Sequence, residues 1–422
     1  MNPSQHATSA ARLLAAAWMS LTGLASAQPS PGMTAAHHVD DYLSEPSDDY
    51  SDETMGAGCC DIVSSCGGAC DCCGRACWVE VDSLIWWTKG VDTPPLVTTG
   101  STTGRGVLGD ADTEVLFGGG DRLLEDSRFG GRVRLGTWVD SCQTRGIEVS
   151  YLRLEDESEG FSASDADYAV LSRPIFNSST SAEDALSVVF PGATSGSLQL
   201  DAETQFQALD VTYLFNISQH CGGRCDFVVG YRYQELSDTL LASQSMLSLA
   251  GASAGSTIDS YDRFATRNTF NGGLFGIRFN NEMSPCWSLE SSIGFALGGV
   301  QRRSSIDGST TVTDTGNAAT TTAGGLLAQP TNIGDYSDSR FGASYEVGVK
   351  LKRKLSERAV LSVGYTYMAL SNVFRAADQI DTNVNPTQFS GGSLTGSATP
   401  TFPGASSGYW AQGLSLGLEA TF

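Results

Sequence analysis

Charged side chains recur at every second position of segments that are otherwise apolar. Glu80 and Asp82 flank Val81, Arg132 and Arg134 flank Val133, and Glu346 and Lys350 share one parity of Tyr-Glu-Val-Gly-Val-Lys-Leu. Glu148, Asp210, Arg232, Arg278, Glu290, Arg340 and Glu419 obey the same rule. Carboxylates and cations brought to one face can do one of two things. They can line an aqueous passage and orient ions within it, or they can pair with one another and fill a narrow interior. The residue types leave both open.

Catalytic chemistry is poorly served. There are four histidines, His6, His37, His38 and His220, and none falls where an external barrel mouth would need a general base. The acidic run Glu155-Asp156-Glu157 with Glu159 lacks calcium-loop spacing and reads as solvated charge. No cofactor is expected. The cysteines form two groups. Cys59, Cys60, Cys66, Cys70, Cys72, Cys73 and Cys77 crowd together, whereas Cys142, Cys221, Cys225 and Cys286 sit in or beside short turns. All 11 are candidates for disulfides in an oxidising compartment, with a metal cluster in the first group as the other reading. That group lacks the paired spacing of a zinc ribbon.

The elements that carry the charges alternate with period two. In residues 340–352, Phe341, Ala343, Tyr345, Val347, Val349 and Leu351 share one parity, and Arg340, Glu346, Lys350 and Lys352 share the other. Such alternation places the two sets on opposite faces of a strand. About ten such segments follow from residue 78: 78–89, 129–140, 145–155, 203–217, 224–236, 264–280, 286–298, 340–353, 357–369 and 408–422. Their connections alternate between short turns and long stretches, the latter roughly 90–128, 156–202, 237–263, 299–339 and 370–407. This rhythm belongs to up-and-down barrels of the outer membrane.

Composition agrees. The 422 residues carry a net charge of −22, with only four lysines, which disfavours nucleic acid as a partner. Residues 1–27 read as an export signal, with Arg12, an apolar stretch and Ala25-Ser26-Ala27. Residues 28–58 read as an acidic linker, 59–77 as a Cys-rich periplasmic segment and 78–422 as the barrel. After the signal, no run is long and apolar enough for a helical span. The last strand alternates to its end. Leu414, Leu416, Leu418 and Phe422 form an apolar set closing on an aromatic, the form of an outer-membrane assembly signal. Aromatic residues toward the long loops (Trp86, Trp87, Tyr365, Tyr367, Tyr409, Trp410) and toward the short turns (Tyr213, Phe215, Phe279, Trp287) are expected at the bilayer interfaces.

Several longer stretches carry a resemblance beyond periodicity. They include WWTKGVDTPPLVTTG (86–100), GVLGDADTEVLFGGG (106–120), GGRVRLGTWVDSCQTRGIEVSY (130–151), FVVGYRYQEL (227–236), GGLLAQPTNIGDYSDSRF (324–341), DQIDTNVNPTQ (378–388) and GYWAQGLSLGLE (408–419). In this order they resemble the bacterial outer-membrane family of putative beta-barrel porins, type seven, from Trp78 to Phe422. The resemblance implies a transmembrane barrel and transfers no catalytic residues.

The sequence therefore predicts an all-β fold, an antiparallel up-and-down transmembrane barrel of about 10–12 strands, with both termini periplasmic. Its expected partners are outer-membrane lipid, the barrel assembly machinery and small solutes passing by diffusion. The alternative is a non-conducting barrel whose loops or Cys-rich segment bind partners.

Overall fold

The computed structural model describes residues 77–422, except Asp121 and Cys221 and the side chain of Ser390. The export signal, the acidic linker, and Cys59 to Cys73 lie outside the described residues, as does Cys221.

Ten strands form one antiparallel ring. They are β1 (Cys77–Thr88), β2 (Ser127–Trp138), β3 (Arg145–Leu154), β4 (Thr194–His220), β5 (Gly223–Ser248), β6 (Thr257–Ser284), β7 (Trp287–Thr313), β8 (Gly334–Lys354), β9 (Ala359–Val373) and β10 (Ser407–Thr421). Each pairs with its neighbours in chain order, and β1 pairs with both β2 and β10, which returns the sheet to its start. The seam runs to the last residue: Phe422 donates its N–H to the Cys77 carbonyl at 2.8 Å, and Cys77 donates to the Phe422 carbonyl at 3.1 Å. A bilayer offers no water to an unpaired backbone group, so a spanning sheet has to close.

Each expected segment is found as a strand, but four are much longer than alternation of apolar residues indicated. β4 to β7 have 27, 26, 28 and 27 residues. Residues 194–202, 237–248, 257–263 and 299–313, read from sequence as parts of long loops, continue the wall. The reason is an inversion of polarity. In the lower part of β5, Phe227, Val229 and Tyr231 face outward and Asp226 and Arg232 inward; above Leu236 the outward set is Ser237, Thr239, Leu241, Ser243, Ser245 and Leu247, mostly polar, and the inward set Asp238, Leu240, Ala242, Gln244 and Met246, mostly apolar. β7 switches likewise, from outward Ile293, Phe295 and Leu297 to outward Gln301, Arg303 and Asp307 around inward Ile306. The lower wall has the surface of a lipid-facing barrel and the upper wall that of a water-facing one.

The outward apolar belt carries a row of rings near its upper edge, with Leu297 and Phe341 just beyond it. Phe275, Phe295, Tyr345, Tyr367 and Trp410 stand on five successive strands, with neighbouring centroids 5.9–6.5 Å apart. Two residues expected in this girdle are not there. Trp86 and Tyr409 are 0% and 2% exposed. They occupy the inward parity of β1 and β10, so their rings fill the lumen instead.

Inside the upper wall the long connections fold into a cap. Its main element is a small sheet of Val97–Thr99, Glu114–Phe117, Leu171–Asn177, Ala182–Val189 and Asn383–Val384. Val97, Leu171, Ile175, Val188, Leu326, Leu327 and Val384 of the connections share one core with Leu198, Leu240, Phe264 and Ile306 of the wall. At the opposite end the turns are tight. The Thr144 hydroxyl donates to the Asp140 carboxylate, as do the N–H groups of Arg145 and Thr144 at 2.8 and 3.0 Å, and these bonds, the hydroxyl's first, hold its carboxyl below the usual range.

The polarity inversion fixes where lipid stops. Leu416→Arg, on an outward site of the belt, is expected to cost about 2–4 kcal/mol of folding free energy in bilayers. Ser243→Arg, outward on the upper wall, is expected to change it by less than about 0.5 kcal/mol. Denaturant titration of the two variants in vesicles checks the contrast.

Candidate functional site

The interior of the lower wall holds a lattice of ion pairs in three adjoining groups. Its acids and bases come from nine strands; β9 contributes Ser362, Gly364 and Thr366 to that face instead. Lys350 contacts Glu80 and, at 2.8 Å, Asp82. Arg134 reaches Glu80 at 2.9 Å and Glu290 at 3.9 Å. Lys352 joins Glu290 at 2.7 Å to Glu419 at 2.9 Å. Higher up, Glu346 takes Arg132 at 2.9 Å and Arg232 at 2.6 Å, Arg232 also holds Asp210 at 2.6 Å, and Arg278 clamps Glu148 at 2.7 Å.

Several of these pairs cross the lumen. Glu346 on β8 meets Arg132 of β2 and Arg232 of β5, strands that lie on different sides of the ring. Register explains others: Glu80 lies directly opposite Arg134 on one side, with which it pairs, and opposite Glu419 on the other, and the two acids are held by separate lysines, Lys350 and Lys352. Glycine makes the room. A Cβ on Gly417 would stand 2.2 Å from the Asp82 carboxylate, and one on Gly364 would stand 2.6 Å from the Lys350 stem.

Of the thirteen charged residues singled out by alternation, twelve are in this lattice. Arg340 is not: its side chain is 66% exposed and pairs with Asp338 at 3.1 Å above the belt. Lys352 shares the parity of Lys350 and lies inside with it. A mixed lattice of this kind is favourable only when every charge is paired, since leaving one ion unpaired in a dry interior is costly.

An apolar layer lies above the charges. Leu84, Trp86, Leu152, Phe206, Phe270, Leu274, Met368 and Tyr409 are among its inward residues. Above that, buried polar contacts tie the cap to the wall. Arg375 pairs with Asp238 and donates to the Lys89 carbonyl at 3.0 Å. Arg173 pairs with Asp262 at 2.7 Å, and the second Asp262 oxygen accepts the N–H groups of Leu327 and Ala328. Asn268 exchanges two hydrogen bonds with the Phe374 backbone, at 2.7 and 2.8 Å. Alternation did not reveal Arg173 and Arg375, because both lie outside the ring strands.

The remaining expected residues are placed as follows. Leu414, Leu416 and Leu418 face outward, 47–55% exposed, and Phe422 is exposed at the rim. Cys77, Cys142, Cys225 and Cys286 all lie at the short-turn end, where Cys77 donates to the Thr137 hydroxyl at 3.3 Å. A Gly-x-Ser-x-Gly stretch, Gly251 to Gly255, escaped the motif reading. It forms an exposed turn between β5 and β6, and not the strand-to-helix elbow that activates a serine. His220, the one histidine among the described residues, is at the other end.

A closed antiparallel ring with an apolar outside, an ionic inside and long connections at one end defines an outer-membrane β-barrel. Residues 78–422 match the family model described as putative beta barrel porin-7, and the chain belongs to that family. No curated protein matches the sequence. Among solved structures, the outer membrane protease OmpT of Escherichia coli is 9% identical, with 84% of this chain and 100% of that one covered and a TM-score of 0.38. A Pseudomonas aeruginosa FadL homologue is 7% identical, covering 82% and 90%, with a TM-score of 0.21. An anion-selective porin from Comamonas acidovorans is 11% identical, covering 83% and 99%, with a TM-score of 0.15. Superpositions this loose carry no argument about activity.

The lattice predicts a specific cost. Lys350→Ala leaves Glu80 and Asp82 without their shared cation and is expected to lower unfolding free energy by about 3–5 kcal/mol. The triple variant Lys350→Met, Glu80→Gln, Asp82→Asn is expected to recover part of that loss. Denaturant unfolding of the lipid-reconstituted variants measures both.

Proposed function

We propose that this barrel rests closed and serves to hold a folded cap at the outer surface, so that it presents its long connections to the exterior. The observation that carries this reading is the filled interior. Going along the axis from the short turns, one meets the ionic lattice, then the apolar layer, then the cap with its ion pairs to the wall. Barrels of this size are filled by side chains, whereas aqueous channels belong to wider ones of about 16–18 strands. In this reading the long connections face outward from the cell and both ends of the barrel lie on the periplasmic side. The terminal apolar set Leu414 to Phe422 addresses the chain to the barrel assembly machinery. The cysteines at the short-turn end then meet an oxidising compartment, where disulfides can form. The barrel carries out no catalysis and needs no cofactor.

A second reading is favoured by membership of a porin family and by the charged lower lumen: small solutes diffuse through once the cap is displaced. The two readings separate in planar bilayers. The intact protein is expected to show no discrete channels at low voltage. The double variant Asp238→Ala, Asp262→Ala, which removes the wall partners of Arg375 and Arg173, tests the cap. If it too is silent, the presenting role stands. Discrete, solute-size-dependent openings in this variant support gated passage, and openings in the intact protein overturn the closed reading.

A further inference from the structure

Of the four lysines, Lys350 is the most deeply buried, and it sits between two acids. Its side chain is 5% exposed, and those of Asp82 and Glu80 are 1% and 4%. The Lys350 Nζ donates to both Asp82 oxygens at 2.8 Å and also to Glu80. Equal distances to the two oxygens set the amine within about 3–3.5 Å of the carboxyl carbon between them, the separation of a near-attack pair. The Asp82 carboxylate has no other hydrogen-bond partner among the described residues, whereas the second oxygen of Glu80 is held by Arg134 at 2.9 Å. Glycine clears the approach. Asp82 is on β1 and Lys350 on β8, with β10 and β9 between them. Gly417 of β10 faces Asp82 and Gly364 of β9 faces Lys350 in register, and a Cβ at either would stand in the way. Lys352, the other inward lysine, instead reaches one oxygen each of Glu290 and Glu419, and Glu419 is 22% exposed.

We propose that Lys350 and Asp82 condense into an intramolecular amide, with Glu80 carrying the proton. This is a single modification of the chain by itself, not turnover of a substrate. A dry site penalises separated charges, and one ammonium proton passes to Asp82, giving amine and acid. The Lys350 Nζ, now a nucleophile, attacks the Asp82 Cγ, and the N–C bond forms. Glu80 takes a second proton from the nitrogen and delivers it to the departing oxygen, acting as base and then as acid. The Cγ–O bond breaks and water leaves. The amide keeps one N–H, and Glu80 ends ionised as it began. The step uses no oxidant, reductant or cofactor. Exclusion of water then shields the product from hydrolysis. The bond joins residues 268 apart in the chain and clasps β1 to β8 across the seam where β10 meets β1. It does not depend on whether the barrel conducts.

Peptide mapping tests the bond. The full-length protein is purified from outer membranes, reduced, alkylated, denatured and digested with trypsin, which does not cleave after an acylated lysine. The wild type is expected to resist cleavage after Lys350 and to give a branched peptide joining Asp82 to Lys350, lighter than the sum of its two arms by one water. Lys352 is expected to remain a free amine. In Glu80→Gln the branched peptide is expected to be lost and cleavage after Lys350 restored, while heat-modifiable gel mobility is kept. If that variant does not fold, the wild-type digest decides alone. Cleavage after Lys350 throughout the wild type, with Asp82 recovered in an unmodified linear peptide, overturns the proposal. Equal branching in folded Glu80→Gln overturns the role of Glu80. Bilayer conductance, measured separately, is unaffected by either result.

Discussion

Backbone hydrogen bonding in a medium without water is the constraint from which the rest of this molecule follows. A sheet in lipid can leave no edge, so β1 must meet β10, and the pairing between Cys77 and Phe422 completes that seam. Once the ring is closed at ten strands, its circumference fixes the interior volume. Side-chain period then divides every strand between a greasy outside and an enclosed inside. The lower interior receives charges because the outside has taken the apolar parity. Those charges, enclosed in a narrow space, must find one another.

The same period works in the opposite sense higher up. Above the aromatic row the outside is wet, so Ser, Thr, Asp and Arg occupy the outward positions and Leu, Ala, Phe and Ile turn inward. This gives the connections a hydrophobic surface to fold on, and that surface builds the cap core of Leu171, Ile175, Leu326 and Leu327 against Leu198, Leu240 and Phe264. The barrel is thus two devices on one wall: a membrane cylinder filled by salt links, and an extramembrane cup filled by a small sheet. The apolar layer of Trp86, Phe206, Phe270 and Met368 divides them.

Much of this was legible in the sequence, for a physical reason. Strand parity is a local property, so alternation in 287–298 or 340–352 identified both the strands and which side chains go in. Twelve of thirteen charged positions follow from it, and Lys352 shares their parity. What escaped was whatever the wall shares with other parts of the chain. The upper halves of β4 to β7 looked like loops because their outward residues are polar, and a search for apolar alternation skips them. Trp86 and Tyr409 were assigned to the interface from residue type, although their parity already sent them inward. Arg173, Arg375, Asp238 and Asp262 meet only through tertiary packing, and nothing in their sequence neighbourhoods announces a partner.

The account rests on a wall with lipid on one side and a packed, water-poor interior on the other. Spin labels placed singly at 414, 415, 416 and 418 on β10 test it most directly, through collision rates with oxygen and with a water-soluble nickel chelate in reconstituted vesicles. The account predicts high oxygen and low nickel accessibility at 414, 416 and 418, and low accessibility to both reagents at 415. High nickel accessibility at 415 would contradict it, since the lumen would then be an open aqueous pore.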